Sequence, residues 1–432
     1  MNFMQFSRAL AWCCLFFGFW LIACERNDAV KLRNSVYRTR SSALSLNRDL
    51  NLLQDSVNGL LGSGNQDRKD SSAYSPITQK HLLNRYRYLY DILNPEQSNH
   101  FSPDNISWDS VQKLYYVRRE DARKLQSRYE VFGWHPYWMG SAWQSYSFKL
   151  LSTIAYYAYK VDPQTGAYTN PNQMQEWRST PMLDTAHAYG CKTLLTIANH
   201  GYAENRIFLN NESAWGTLLD SVAVLVNARQ ASGVDINFEM VPEELSRQYA
   251  KFITQMRNGL NARISGKKVF ISATLPAYSN REAFDLTTLQ ANCDLLVIMG
   301  YAFHAGKESG GPVAPMRNVR GGKSSLLETV EYYTNAGVDP QKTVLALPYY
   351  GAQWRGQSAD GQSYETWFDK EITYREIMQL YGRDYIAQYD PLSMSNYYFL
   401  EFPDSSSAEV WFDDAFTLNK KYDLALGKGF KG

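Results

Sequence analysis

From residue 130 onward, short apolar runs alternate with longer helical patterns, and this alternation restricts the fold more than any other feature. The runs are EVFGWHP (130 to 136), LLSTIAYYAY (150 to 159), CKTLLTIANHG (191 to 201), GVDINFEM (233 to 240), KVFISATLPA (268 to 277), LLVIMGYA (295 to 302) and TVLALPYYG (343 to 351). Between them lie stretches such as PMLDTAHAYG, WGTLLDSVAVLVNARQ and PEELSRQYAKFITQMRNGLNAR. A helix between two strands carries the chain back to its starting end, so the strands run parallel, and seven or eight such units close into a barrel. The expected class is α/β, a (β/α)8 TIM barrel, whose chemistry gathers where the strands end. Those ends carry Trp134 and His135, Tyr157 and Tyr159, Asn199 and His200, Glu239, Tyr278, Tyr301, then Tyr349 and Tyr350.

The fourth run sets Asp235, Asn237 and Glu239 at alternate positions between Val234, Ile236 and Phe238. Side chains alternate along a strand, so the three polar groups share a face, and in a barrel that face is the interior. Two carboxylates close together push one pKa upward, which suits a general acid near neutral pH. Glu239, last in the series, is expected at the open end, with Asp235 lower and enclosed.

The N-terminus and the composition restrict the setting. Arg8, the apolar run ALAWCCLFFGFWLIA and the small Ala23 before Cys24 read as an export signal over residues 1–24. LIAC resembles a bacterial lipobox, which makes Cys24 the lipidated first residue of the mature protein and anchors it at a membrane outside the cytoplasm. Residues 25–129 read as a tether and lead-in, and 130–432 as the barrel. A net charge of +1 without a long basic block argues against nucleic acid as a partner. Six scattered histidines show no ligand spacing, and no Gly-rich phosphate loop follows a strand, so neither metal nor cofactor is expected. Aromatic residues make up 14% of the chain, and flat apolar faces are what sugar rings stack on. Cys191 and Cys293, beside strands, are expected as core thiols.

These residues resemble glycoside hydrolase family 18, the chitinases and their relatives. The fourth-strand signature of that family is Asp-Gly-x-Asp-x-Asp-x-Glu, and this chain has Ser232, Gly233, Val234, Asp235, Ile236, Asn237, Phe238 and Glu239. LLTIANHG is similar to the third-strand segment, IMGYAFH to the Met-x-Tyr-Asp motif, and LPYYGAQW to the seventh strand. EVWFDDAFTLNKKYDLA is similar to a late segment of the branch with spore-cortex and peptidoglycan lytic enzymes. The resemblance implies substrate-assisted retaining hydrolysis of β-linked N-acetylglucosamine polymers: chitin, peptidoglycan or N-glycan cores. The substrate acetamide oxygen attacks the anomeric carbon while Glu239 acts as acid and later as base. Asp235, Asn237 and Tyr301 complete the implied catalytic set, with Asn237 accepting the acetamide N–H and Tyr301 bonding the acetamide oxygen. Trp134, Tyr157, Asn199, Met299, Tyr278, Tyr350 and Trp354 are the implied substrate contacts.

The chain departs from the family pattern in three places. Asn237 stands where the family has Asp, Ala302 where an Asp follows the strand-six Tyr, and Ser232 where the first motif Asp lies. His304 is a candidate to substitute for the carboxylate missing at 302. Loss of motif carboxylates also fits an alternative reading, a catalytically inactive carbohydrate-binding barrel. The family would continue past LALGKGFKG into an eighth strand bearing a Trp, so the barrel is expected to lack its eighth strand.

Overall fold

In the computed structural model of the chain, the described residues are 106–109, 114–117, 128–266, 268–304, 306, 310–317, 324–358, 364–382, 384–402 and 406–432. Cys24 and most of the segment read as a tether lie outside them. Within that segment, β1 (Ile106–Asp109) pairs antiparallel with β2 (Leu114–Val117).

Seven parallel strands follow: β3 (Phe132–Pro136), β4 (Thr153–Lys160), β5 (Lys192–His200), β6 (Gly233–Glu239), β7 (Phe270–Pro276), β8 (Leu295–Met299) and β9 (Thr343–Ala346). They are hydrogen-bonded in sequence order, as the βα repeat requires, which is the strand arrangement of a TIM barrel with seven of its strands among the described residues. Helices including Pro181–Ala188, Glu212–Ala228 and Ser246–Arg263 cover the outer face. Burial on both faces is why these strands read as nearly continuous apolar runs. The main core lies between strands and helices, where outward Phe238 stacks on Phe252 at 5.1 Å and meets Phe208 edge-on at 5.6 Å. A smaller apolar cluster of Leu295, Val297 and Val344 fills the lower interior, with Phe132 and Trp134 against it. Gly233 opens β6 because a Cβ there would stand 1.8 Å from the Phe270 carbonyl oxygen on β7. At the N-terminal end of the strands, Lys431 N donates to Thr343 O (2.8 Å) and Glu130 N donates to Lys431 O (2.9 Å), so Lys431 links β9 to the lead-in of β3.

The seventh run differs from expectation. Its parallel ladder stops at Ala346, ahead of Pro348, which has no N–H to give. Tyr350 instead opens β10 (Tyr350–Ser358), part of a five-stranded antiparallel sheet with β11 (Tyr364–Thr373), β12 (Gln388–Asp390), β13 (Ser395–Glu401) and β14 (Ser406–Phe412). The order is β11-β10-β14-β13-β12. Ile372, Tyr398, Leu400, Val410 and Phe412 pack with Ile377 as its core. Asp414 then caps helix Ala415–Gly427 by accepting from the backbone N–H groups of Phe416 and Thr417, and Ala425 and Phe430 return to the barrel core. Cys191 and Cys293 are buried and unbridged, and burial pushes the Cys293 thiol up to about 12.

Candidate active site

The inward face of β6 builds a polar column along the barrel axis. At its base Asp235 is fully buried: Oδ2 accepts from Trp134 Nε1 (2.8 Å) and Thr196 Oγ1 (3.0 Å), and Oδ1 from Ser272 Oγ (2.7 Å). Burial raises its pKa, while those three donors pull it back. One step up, Asn237 Nδ2 donates to Thr274 Oγ1 (3.1 Å) and lies 3.7 Å from Met299 Sδ. The sulfur can only accept here, so this contact fixes which end of the amide is nitrogen. Asn237 Oδ1 therefore turns to His200 Nε2, 2.8 Å away. At the open end the Glu239 side chain is 39% exposed, with Oε1 3.6 Å from the same His200 Nε2. The parallel register, Thr196 opposite Asp235, Ala198 opposite Asn237 and His200 opposite Glu239, brings these groups level.

Four tyrosines gather around Glu239. Burial raises the pKa of Tyr157, Tyr278, Tyr301 and Tyr350, and the Glu239 charge adds to the rise in each. They remain neutral hydrogen-bond donors at physiological pH. The Tyr157 hydroxyl is 3.1 Å from His200 Nε2, the Tyr301 and Tyr350 rings meet edge-on at 6.4 Å, and Tyr278 OH donates to Ala302 O at 3.3 Å. Met240 and Ala302, which follow Glu239 and Tyr301, both have φ near +59°, a left-handed conformation costing non-glycine residues about 1–2 kcal/mol. The chain thus bends sharply behind each of these two side chains.

Three expected substrate contacts take other positions. Asn199 has the opposite parity to His200, points out of the barrel and is buried; its Nδ2 donates to Asn205 Oδ1 (3.0 Å). Asn205 in turn donates to the Glu239 carbonyl (2.6 Å), so Asn199 supports the Glu239 backbone from behind. Trp354 has no exposed surface and meets Phe368 edge-on at 5.6 Å, because it lies on β10 of the antiparallel sheet and not on the seventh barrel strand. Trp134 sits low in the interior, held by Asp235 and packed edge-on to Phe132. His304 is buried and its Nδ1 donates to the Pro312 carbonyl (2.9 Å).

Two residues outside the expected set stand at the mouth. His200 shares the parity of Thr196, which the strand alternation itself could have signalled. Trp138, 62% exposed, lies edge-on to Tyr157 at 5.8 Å and comes from the aromatic-dense stretch YWMGSAW directly after β3. Among the described residues, no group of three or more His, Cys, Asp or Glu side chains could hold a metal, and no helix is long and apolar enough to cross a membrane. The column offers an exposed carboxyl able to give or take a proton, set in a ring of neutral donors.

Comparison with known proteins identifies the fold's relatives. A family profile described as Glycosyl hydrolases family 18 matches residues 130–432. YdhD of Bacillus subtilis (strain 168), named a sporulation-specific glycosylase, is 24% identical over 283 residues, covering 63% of this chain and 62% of YdhD. A class V chitinase of Arabidopsis thaliana is 26% identical over 187 residues, covering 40% of this chain and 48% of the chitinase. The chain thus spans less than two thirds of the length of these two relatives. Among solved structures, the class V chitinase from Nicotiana tobaccum superposes with a TM-score of 0.60 at 18% identity, covering 70% of this chain and 92% of that one. The spore cortex-lytic enzyme SleL of Bacillus megaterium QM B1551 gives 0.57 at 17% identity, covering 85% and 81%.

Proposed function

The chain belongs to glycosyl hydrolases family 18, and from that premise we propose that it hydrolyses β-linked N-acetylglucosamine glycans such as chitin, peptidoglycan or an N-glycan core by substrate-assisted catalysis. The observation that carries this reading is Glu239, half-exposed at the open end of the column and surrounded by neutral donors. Protonated Glu239 gives its proton to the leaving glycosidic oxygen as the substrate acetamide oxygen bonds to the anomeric carbon. The Glu239 carboxylate then takes a proton from the water that opens the resulting oxazolinium, which retains the anomeric configuration. Asn237 Oδ1 accepts the acetamide N–H, and the neutral Tyr301 hydroxyl donates to the acetamide oxygen. Asp235 acts from below by holding Trp134, Thr196 and Ser272 in place. Tyr157, Tyr278, Tyr350, Met299 and Trp138 line the sugar. The relatives, chitinases and a spore cortex-lytic enzyme, support this substrate class.

The test is hydrolysis of chitooligosaccharides and peptidoglycan by the wild type and by Glu239→Gln. The variant keeps the shape of the site but has no proton to give, so turnover should fall about 100- to 10,000-fold while oligosaccharide affinity changes little. A wild type that binds chitooligosaccharide yet cleaves nothing between pH 4 and 8 would identify a sugar-binding barrel instead. We further propose that the mature protein is held outside the cytoplasm through a lipid on Cys24. Mass spectrometry of the mature N-terminus checks this, and an unmodified Cys24 would refute it.

A further inference from the structure

Resting on the reading of Glu239 as the acid, we propose that His200 is a positioning residue whose Nε2–H bond serves Asn237 at rest and moves to the Glu239 carboxylate as that group gives up its proton. The nitrogen lies 2.8 Å from Asn237 Oδ1 and 3.6 Å from Glu239 Oε1, with the Tyr157 hydroxyl at 3.1 Å. Because Asn237 Nδ2 is turned to Thr274 and the Met299 sulfur, Oδ1 facing His200 can only accept. The hydrogen therefore belongs to the histidine, and the tautomer follows from the neighbours.

One N–H facing the Asn237 and Glu239 oxygens, with the Tyr157 oxygen as a third acceptor beside them, cannot satisfy all of them at full strength. While Glu239 carries its proton it is the weaker acceptor, and the bond to Asn237 prevails. Once the proton has passed to the leaving oxygen, Glu239 is an anion, and a hydrogen bond to an ionised group is roughly twice as strong as one between neutral groups. A small pivot of the ring brings Nε2 within reach, and it releases a lone pair of Asn237 Oδ1 for the acetamide N–H. The hydrogen stays covalently on Nε2 throughout, so only the proton of Glu239 is transferred. Asn237 cannot make this movement itself, since its amide is held on both sides. The half-exposed imidazole, with 42% of its side chain accessible, has room to turn.

The experiment compares wild type, His200→Leu and His200→Gln on two substrates, N-acetylchitotetraose and 2,4-dinitrophenyl β-diacetylchitobioside. The second has a leaving group that departs with little need of a proton. Leucine should lower kcat on the tetraose about 10- to 100-fold, the range for one lost hydrogen bond to a charged group, with KM nearly unchanged. Its effect on the dinitrophenyl substrate should be several times smaller. Glutamine, which can place an amide N–H near the former Nε2 position, should restore most of the tetraose activity. Equal losses on both substrates, or a glutamine variant no better than leucine, would overturn the proposal and leave His200 a packing residue. If wild type cleaves neither substrate, the reading of Glu239 falls and this proposal falls with it.

Discussion

Two buried aspartates, one on the barrel axis and one at the junction of the antiparallel sheet with the last helix, are held in opposite ways. Asp235 is surrounded by an indole and two hydroxyls, all neutral donors. Asp413, just past β14, faces the fully buried Lys421 ammonium, which also donates to Ser395 Oγ at 2.9 Å. Burial raises Asp413 and lowers Lys421, so each ion persists only because the other is present. Such a pair ties β13, the end of β14 and helix Ala415–Gly427 into a fixed junction. Asp235, by contrast, can gain or lose a proton without leaving an opposite charge stranded. Neutral donors suit a carboxyl beneath a reaction site; an ion pair suits a joint.

The largest effect should come from breaking the joint. Lys421→Met leaves Asp413 buried and uncompensated, and chemical denaturation should show a loss of about 3–5 kcal/mol. Replacing both partners, Asp413→Leu with Lys421→Met, should recover most of that loss, because no lone charge remains. If the single and double variants are equally unstable, the pair is not what holds the junction.

Asp235→Asn should have a smaller effect that depends on pH. Since burial raises the Asp235 pKa in the folded protein, the native state keeps this proton at pH values where the unfolded chain has released it. The stabilisation from this group is complete below the unfolded carboxyl pKa of about 4 and is lost as pH rises through the folded value, by at most about 1.4 kcal/mol per pH unit. The wild type should therefore lose stability relative to Asp235→Asn as pH rises from 4. Denaturation midpoints for both proteins across pH 4 to 8 check the sign, and a difference that stays constant or grows in favour of the wild type would show that the donors outweigh burial.

The parallel strands were legible because burial on both faces writes the same apolar pattern into each of them. The polar column was legible because alternation on β6 admits one arrangement once Val234, Ile236 and Phe238 face the helices. The five-stranded sheet was not. Its pairings join Tyr350 to Thr373 and Ala352 to Trp411, and nothing near Tyr350 announces which distant segment will supply the partner. Tyr350 and Trp354 consequently read as a continuation of the seventh barrel strand, and Trp354 was expected at the mouth when β10 buries it. Asn199 and His200 posed a different difficulty: both are polar and adjacent, and one-residue parity decides which enters the barrel.

By itself, the sequence determined the α/β class, the seven parallel strands and the inward stack of Asp235, Asn237 and Glu239, because periodicity and two-sided burial act locally along each strand. Only the tertiary structure decided which groups meet. His200 and Glu239 come level because β5 pairs with β6 in one register, and Asn199 comes to support the Glu239 carbonyl through Asn205 because the helix Tyr202–Leu209 packs behind them. Hydrogen bonds act over about 3 Å, and a distance that short between separate strands is set by how the strands and helices pack, which no local pattern records.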